Sequence, residues 1–250
     1  MSVDELSVGL SRPPERLALS GAALFLDLDG TLAPIAERPE DVRPDPRRTD
    51  LLQKLGVRLE GRLAVVSGRS LSEIDHILES RVTCVAAIHG LVRRDAQGVI
   101  GEAAPHPGLV AARAALREFA ERDARLLIED KALSLTMHYR QAPDRAPEVI
   151  DLAERIATTT GLTLQPGDMV VELRTPGASK GDSIRAFMAE EPFRGARPIF
   201  LGDDLTDEHG FFAARQLGGY GILVGPARKT TATYRMEGVE AALTWLEAAE

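Results

Sequence analysis

Two carboxylates stand two residues apart in DLDGT, Asp27 and Asp29, directly after the apolar run ALFL. A carboxylate at the end of a buried strand can serve as a nucleophile, as a proton donor and acceptor, or as a hard oxygen ligand. Asp-Gly between apolar residues is also a strong hairpin signal. A hairpin accounts for this stretch alone, and Pro34 and Pro39 spoil its return strand. Far along the chain, GDDLTDE adds Asp203, Asp204 and Asp207. Like charges gathered in one place raise each other's pKa and oppose folding unless a cation lies among them. Such an oxygen-rich site suits Mg²⁺, which takes one or two carboxylates, waters and a substrate phosphate.

Two further segments bring donors and cations. VVSGR ends in Ser67, Gly68 and Arg69, and SKGD places Lys180 near the start of a helix. A cation there opposes the helix dipole, at about 0.3–1 kcal/mol when exposed. Positions that break a local rule are often functional. Each residue has a plainer reading. Lys180 could be a solvated surface lysine, Ser67 a turn residue, and Asp207 an acid favoured in a first helical turn.

The elements that must position these groups follow from patterning. Apolar strands are expected at 22–29, 61–68, 84–90, 197–204 and 220–225. Helices are expected at 48–60, 70–80 (with Ser70 as N-cap), 179–190, 207–218 and 239–249. Short apolar strands alternating with helices indicate a parallel sheet covered on both faces. A different pattern occupies the middle: a hairpin at 91–102, a break at PHPG, a helix at 109–123, strands at 125–130 and 132–140, a helix at 146–160 and a strand at 169–174. Within 132–140, Leu133, Leu135, Met137 and Tyr139 alternate with Ser134, Thr136, His138 and Arg140, predicting one buried and one wet face. The fold class expected is α/β: a doubly wound, Rossmann-like core of residues 1–103 and 176–250, interrupted by an α/β cap of residues 104–175. In an open parallel sheet, ligands bind beyond the carboxyl ends of the strands. Asp27 and Asp29, Ser67 to Arg69, and Asp203 with Asp204 all stand at such ends.

The chain has 250 residues, a net charge of −8 and one cysteine, Cys84. The acidic balance argues against nucleic acid and against a polybasic membrane anchor as partners. A lone cysteine makes no internal disulfide, and no run approaches a membrane span. A cytoplasmic monomer is expected.

The order of DLDGT, VVSGR, SKGD and GDDLTDE resembles the haloacid dehalogenase superfamily of phosphotransferases. More narrowly, AIHGLVRRD, HYRQAP and VVELRTPGASKGDSIRAFM resemble the trehalose-6-phosphate phosphatase family over about residues 22 to 248. The resemblance implies that Asp27 is the nucleophile and that Asp29 is the general acid and base. It implies Mg²⁺ held by Asp27, the Asp29 carbonyl and Asp203, with Asp204 and Asp207 orienting its waters. Thr31, Ser67, Gly68, Arg69 and Lys180 then bind phosphate. Glu129, Lys131, His138, Arg140 and Glu172 then read the sugar of trehalose 6-phosphate. One position departs from the family: Asp168 stands where a lysine is usual, with Lys131 or Arg140 as candidate compensating cations. Two rival readings stand beside this one. They are another sugar-phosphate phosphatase, such as the sucrose-phosphate type, and a catalytically silent sugar-phosphate sensor.

Overall fold

AALFL forms β1 (Ala22–Leu26), and all five of its residues are buried. In the computed structural model, which describes residues 10–167 and 169–250, β1 lies at the centre of one sheet. Asp168 lies outside the described residues. After β1 come α1 (Pro46–Arg58), β2 (Leu63–Val66), α2 (Leu71–Ile77), β3 (Cys84–Ala87), β4 (Val92–Arg94) and β5 (Ile100–Glu102). The middle of the chain forms α3 (Gly108–Ala120), β6 (Leu127–Asp130), β7 (Ser134–His138), α4 (Ala146–Thr160), β8 (Thr163–Gly167) and β9 (Val170–Arg174). The chain ends with α5 (Lys180–Met188), β10 (Arg197–Gly202), α6 (Glu208–Gln216), β11 (Tyr220–Val224), β12 (Tyr234–Met236) and α7 (Val239–Glu247).

These elements divide into two compact units. One runs to Gly101 and resumes at Ala178; the other is Glu102–Gly177. Among the described residues the first holds a sheet in the order β12-β11-β10-β1-β2-β3-β4-β5. Pairing is parallel from β12 through to β3, and β4 runs antiparallel to β3. The chain builds outward from β1 through β2 to β3, then returns to place β10 on the other side of β1. That reversal is the topological switch point, where the loops after neighbouring strands part and leave a crevice. Phe25, Phe187, Phe193, Phe200 and Phe211 fill the layer between the sheet and α5 and α6. α1 is tied to α7 by Arg47, which donates to Glu240 and Glu247.

Several elements are shorter than the sequence reading, β1 and α2 among them, and three differences have a local physical cause. The third strand stops at Ala87 rather than 90, because Ile88 (φ 47°) and His89 (φ 54°) turn into the left-handed region. β8 contains Pro166, which lacks a ladder donor, yet β8 is an edge strand where none is needed. β12 has three residues, too few for a periodic signal.

The second unit has an antiparallel sheet in the order β6-β7-β9-β8. Leu135, Met137, Val171 and Leu173 of this sheet pack with Leu109, Leu116, Val149 and Ile156 of α3 and α4. The expected buried set, Leu133, Leu135, Met137 and Tyr139, is buried. Its opposite face is not wet as expected: Ser134 and Thr136 are buried as well. The register sets Arg174 beside Ser134 and Glu172 beside Thr136, long side chains next to short hydroxyls. Among the described residues no helix is long and apolar enough to cross a membrane.

Candidate active site

Asp27 follows β1 directly, and its N–H donates to the Leu201 carbonyl of β10 at 2.9 Å. This carries the register of the parallel pair one residue past the strand, so Asp27 is held at the switch point. Lys180 opens α5, whose N-cap Ser179 exchanges hydrogen bonds with Asp182. The Lys180 side chain is buried, which a solvated surface lysine would not be. Its Nζ lies 2.8 Å from Asp27 Oδ1 and donates to Asp207 Oδ1 at 2.6 Å. The other oxygen of Asp207 accepts from the N–H groups of Asp203 and Asp204, both at 3.0 Å. Carboxylate oxygens of Asp27, Asp203 and Asp207 lie within 4.8 Å of one another.

Burial and repulsion shape the charge of this cluster. Burial pushes the Asp27 carboxyl well above its ordinary value, and Lys180 opposes that rise. Burial, then the neighbouring Asp207, pushes Asp203 up to about 7. Burial works against charge on Lys180, but Asp207 and Asp27 outweigh it and hold the ammonium firmly protonated. Asp203 Oδ1 is buried and finds no partner in the protein. Thr31 Oγ1, also buried, finds none either. Ser67 Oγ accepts from the Arg69 N–H at 3.2 Å, which leaves the hydroxyl hydrogen available to a ligand.

Gly30 permits the close approach. Its φ is +77°, and a Cβ there would stand 2.0 Å from Asp203 Oδ2. Only glycine lets the DLDGT loop pass so near the acidic loop.

A second polar group lies within the other unit. Glu129 of β6 is 3.3 Å from Lys131 Nζ and 3.1 Å from His138 Nε2 of β7. The register aligns Glu129, Thr136 and Glu172 across three strands. Burial alone would raise the Glu129 carboxyl, but the hydrogen bond with His138 and the charge of Lys131 hold it below its ordinary value.

A sequence model of trehalose-phosphatase matches residues 25–240. The chain belongs to the trehalose-phosphatase family. It is 38% identical over 231 residues to the trehalose-6-phosphate phosphatase of Escherichia coli K12, covering 90% of this chain and 85% of that protein. It is 40% identical over 210 residues to a probable trehalose-phosphate phosphatase of Sinorhizobium fredii, covering 83% and 79%. A crystal structure of a trehalose-6-phosphate phosphatase related protein superposes with a TM-score of 0.74 at 29% identity, over 90% and 95% of the two chains.

Within this trehalose-phosphatase chain the structure gathers Asp27, Lys180, Asp203 and Asp207 from three distant segments. It does not gather Asp29 and Asp204 with them by their carboxylates. Asp204 accepts from the Leu205 N–H at 2.6 Å and caps a short 3₁₀ turn, so Asp207 alone turns inward. The Asp29 carboxylate accepts from Arg69 at 2.7 and 2.8 Å. Arg69, expected at the phosphate, directs its fork at Asp29 and also donates to the Pro39 carbonyl at 2.9 Å. Arg140 lies past the end of β7, half-buried. Sequence reading missed His89. Its N–H donates to the Ser67 carbonyl at 3.0 Å, and its ring lies so close to Gly68 that a Cβ there would meet Nε2 at 2.5 Å. The AIHG stretch marks the position, but nothing in its spacing signals two successive left-handed residues.

Proposed function

We propose that this protein is a magnesium-dependent phosphatase that hydrolyses trehalose 6-phosphate to trehalose and phosphate through an aspartyl-phosphate. The observation that carries this reading is the buried Asp27–Lys180 pair at 2.8 Å, set beside Asp203 at the sheet's switch point in a trehalose-phosphatase chain. The second unit, Glu102–Gly177, selects the substrate. Its Glu129, Lys131, His138, Arg140 and Glu172 offer the mixed donors and acceptors that sugar hydroxyls need. The enzyme acts as a cytoplasmic monomer on a small molecule, without nucleic acid or membrane.

The acidic cluster fits a hard divalent ion, since three carboxylates converge and Asp203 Oδ1 is buried without a partner. Asp27 and Asp203, with the Asp29 carbonyl, would hold Mg²⁺, and Asp207 would orient its waters from behind; Asp204, turned outward as a cap, takes no part. The ion supplies neutralisation of charge on the phosphoryl oxygens.

The chain's own residues carry the transfer. A lone pair of the Asp27 carboxylate forms the new bond to phosphorus while the bond from phosphorus to the sugar oxygen breaks. Asp29 gives its proton to that oxygen. Water then attacks the aspartyl-phosphate and Asp29 takes a proton from it. Phosphate leaves, Asp27 is a carboxylate again, and Asp29 is protonated for the next cycle. Lys180 and the Ser67 hydroxyl hold the phosphoryl oxygens that do not transfer. Thr31 Oγ1 and the Gly68 loop complete the cradle. Arg69 serves Asp29.

Phosphate release from a panel of sugar phosphates, with and without chelator, tests the proposal. Trehalose 6-phosphate should exceed sucrose 6-phosphate and glucose 6-phosphate by at least about ten-fold, and chelator should abolish release. Preference for either competitor would overturn the substrate assignment. Tight binding without release would mark a sensor.

A further inference from the structure

Arg228 belongs to none of the motifs read from the sequence. It lies in PARKTT, residues 226–231, between β11 and β12. Its Nη2 donates to two successive backbone carbonyls, Asp203 at 3.2 Å and Asp204 at 2.7 Å. Its Nη1 pairs with Glu208 Oε1 and donates to the Lys229 carbonyl at 3.3 Å. Glu208 is itself anchored, since its Oε2 accepts from the Thr231 N–H at 2.7 Å and the Thr231 hydroxyl at 2.8 Å. On the opposite side of the same two residues, Asp207 Oδ2 takes both N–H groups. Asp203 and Asp204 therefore have their amides held by one side chain and their carbonyls by another. Backbone held on both sides of Asp203 sets the direction of its Cα–Cβ bond, and so where its carboxylate can reach.

We propose that Arg228 is a positioning residue for the divalent-ion site: it clamps the Asp203–Asp204 backbone so that the Asp203 carboxylate stands ready beside Asp27. This rests on the reading of Asp203 as an ion ligand. Arg228 acts through the loop and touches no reacting atom.

A rival physical role makes the opposite demand. As a bare positive charge near the site, Arg228 would repel Mg²⁺, and its loss would tighten binding. Lysine separates the two roles. Arg228→Lys keeps the charge but loses the planar fork that reaches two carbonyls and Glu208 together.

The test measures melting temperature against Mg²⁺ concentration for the full-length wild type, Arg228→Lys, Glu208→Gln and Asp203→Asn. The concentration dependence reports ion affinity, and the value without Mg²⁺ reports fold stability. A purely structural role would shift every melting temperature and leave that dependence alone. Arg228→Lys should weaken Mg²⁺ binding by about 10–100-fold, the range for residues that orient ligands from behind. KM for trehalose 6-phosphate at saturating Mg²⁺ should stay within about twofold of the wild type. Glu208→Gln, which loosens the anchor, should weaken binding in the same direction by less. Binding by Arg228→Lys that is tighter, or within about twofold of the wild type, overturns the proposal. If Arg228→Lys does not fold, Glu208→Gln decides by the same criterion. Asp203→Asn binding Mg²⁺ as well as wild type would be a separate failure, that of the ligand reading itself.

Discussion

Arg69 grips Asp29 with two parallel hydrogen bonds, Nε to Oδ2 at 2.7 Å and Nη2 to Oδ1 at 2.8 Å. A fork of this kind fixes a carboxylate in one plane and one direction. The fork sets which way Asp29 faces, and so how it meets the departing sugar oxygen. Arg69→Ala should lower kcat with trehalose 6-phosphate by about 10²-fold, the lower end for losing a well-placed acid. With 4-nitrophenyl phosphate, whose leaving group needs no proton, the loss should be much smaller. Equal losses with both substrates would show that Arg69 acts on the phosphate.

Asp27→Asn removes the attacking oxygen's charge while leaving Lys180 its 2.6 Å partner Asp207. Turnover should fall by at least roughly 10⁴-fold, as when one member of a catalytic unit is lost. The circular dichroism spectrum should remain native. Appreciable phosphate release by the purified variant would refute the nucleophile assignment.

Gly30→Ala should do two separable kinds of damage. A left-handed non-glycine residue costs about 1–2 kcal/mol, and the added methyl would collide with Asp203. Gly98→Ala is the control, with φ +80° and nothing within 4 Å of the new atom. Both variants should be less stable in urea. Only Gly30→Ala should also lose Mg²⁺-dependent activity.

Glu129→Gln tests the second unit. The wild-type carboxyl lies below its ordinary value of 4.5, because His138 and Lys131 outweigh the upward push of burial. A depressed carboxyl adds stability that is whole above the unfolded-state pKa and lost as pH falls through the folded one. Glu129 therefore stays an anion at neutral pH. The variant should raise KM for trehalose 6-phosphate by about ten-fold with a smaller change in kcat. Its stability should also vary less than wild type in urea titrations run below pH 4.5. An unchanged KM would place sugar recognition elsewhere.

Much of this molecule was legible from local pattern. Short-range signals place β1, the Ser70 cap of α2, and the alternation that buries Leu133 to Tyr139, because each depends on neighbours a few residues away. β8 was hidden by its proline, which a central strand would forbid and an edge strand tolerates. The left-handed pair Ile88 and His89 left no trace, since β-branched isoleucine disfavours that conformation and a single histidine beside it is too weak a signal.

Residue types and their order along the chain were enough to specify an α/β fold, the trehalose-phosphatase family and a short set of candidate acids, donors and cations. Which of those acids meet was decided by tertiary structure alone. Parallel pairing of β1 with β10 brings Asp27 to Asp203 across more than half the chain. The 3₁₀ turn then sends Asp204 outward to cap and Asp207 inward to Lys180. Arg69 and Arg228 found their partners in the same way, through loops that spacing cannot orient. The reason is physical. Backbone hydrogen bonding and apolar periodicity act over a few residues, whereas burying one lysine among three aspartates requires every layer of the sheet to be in place.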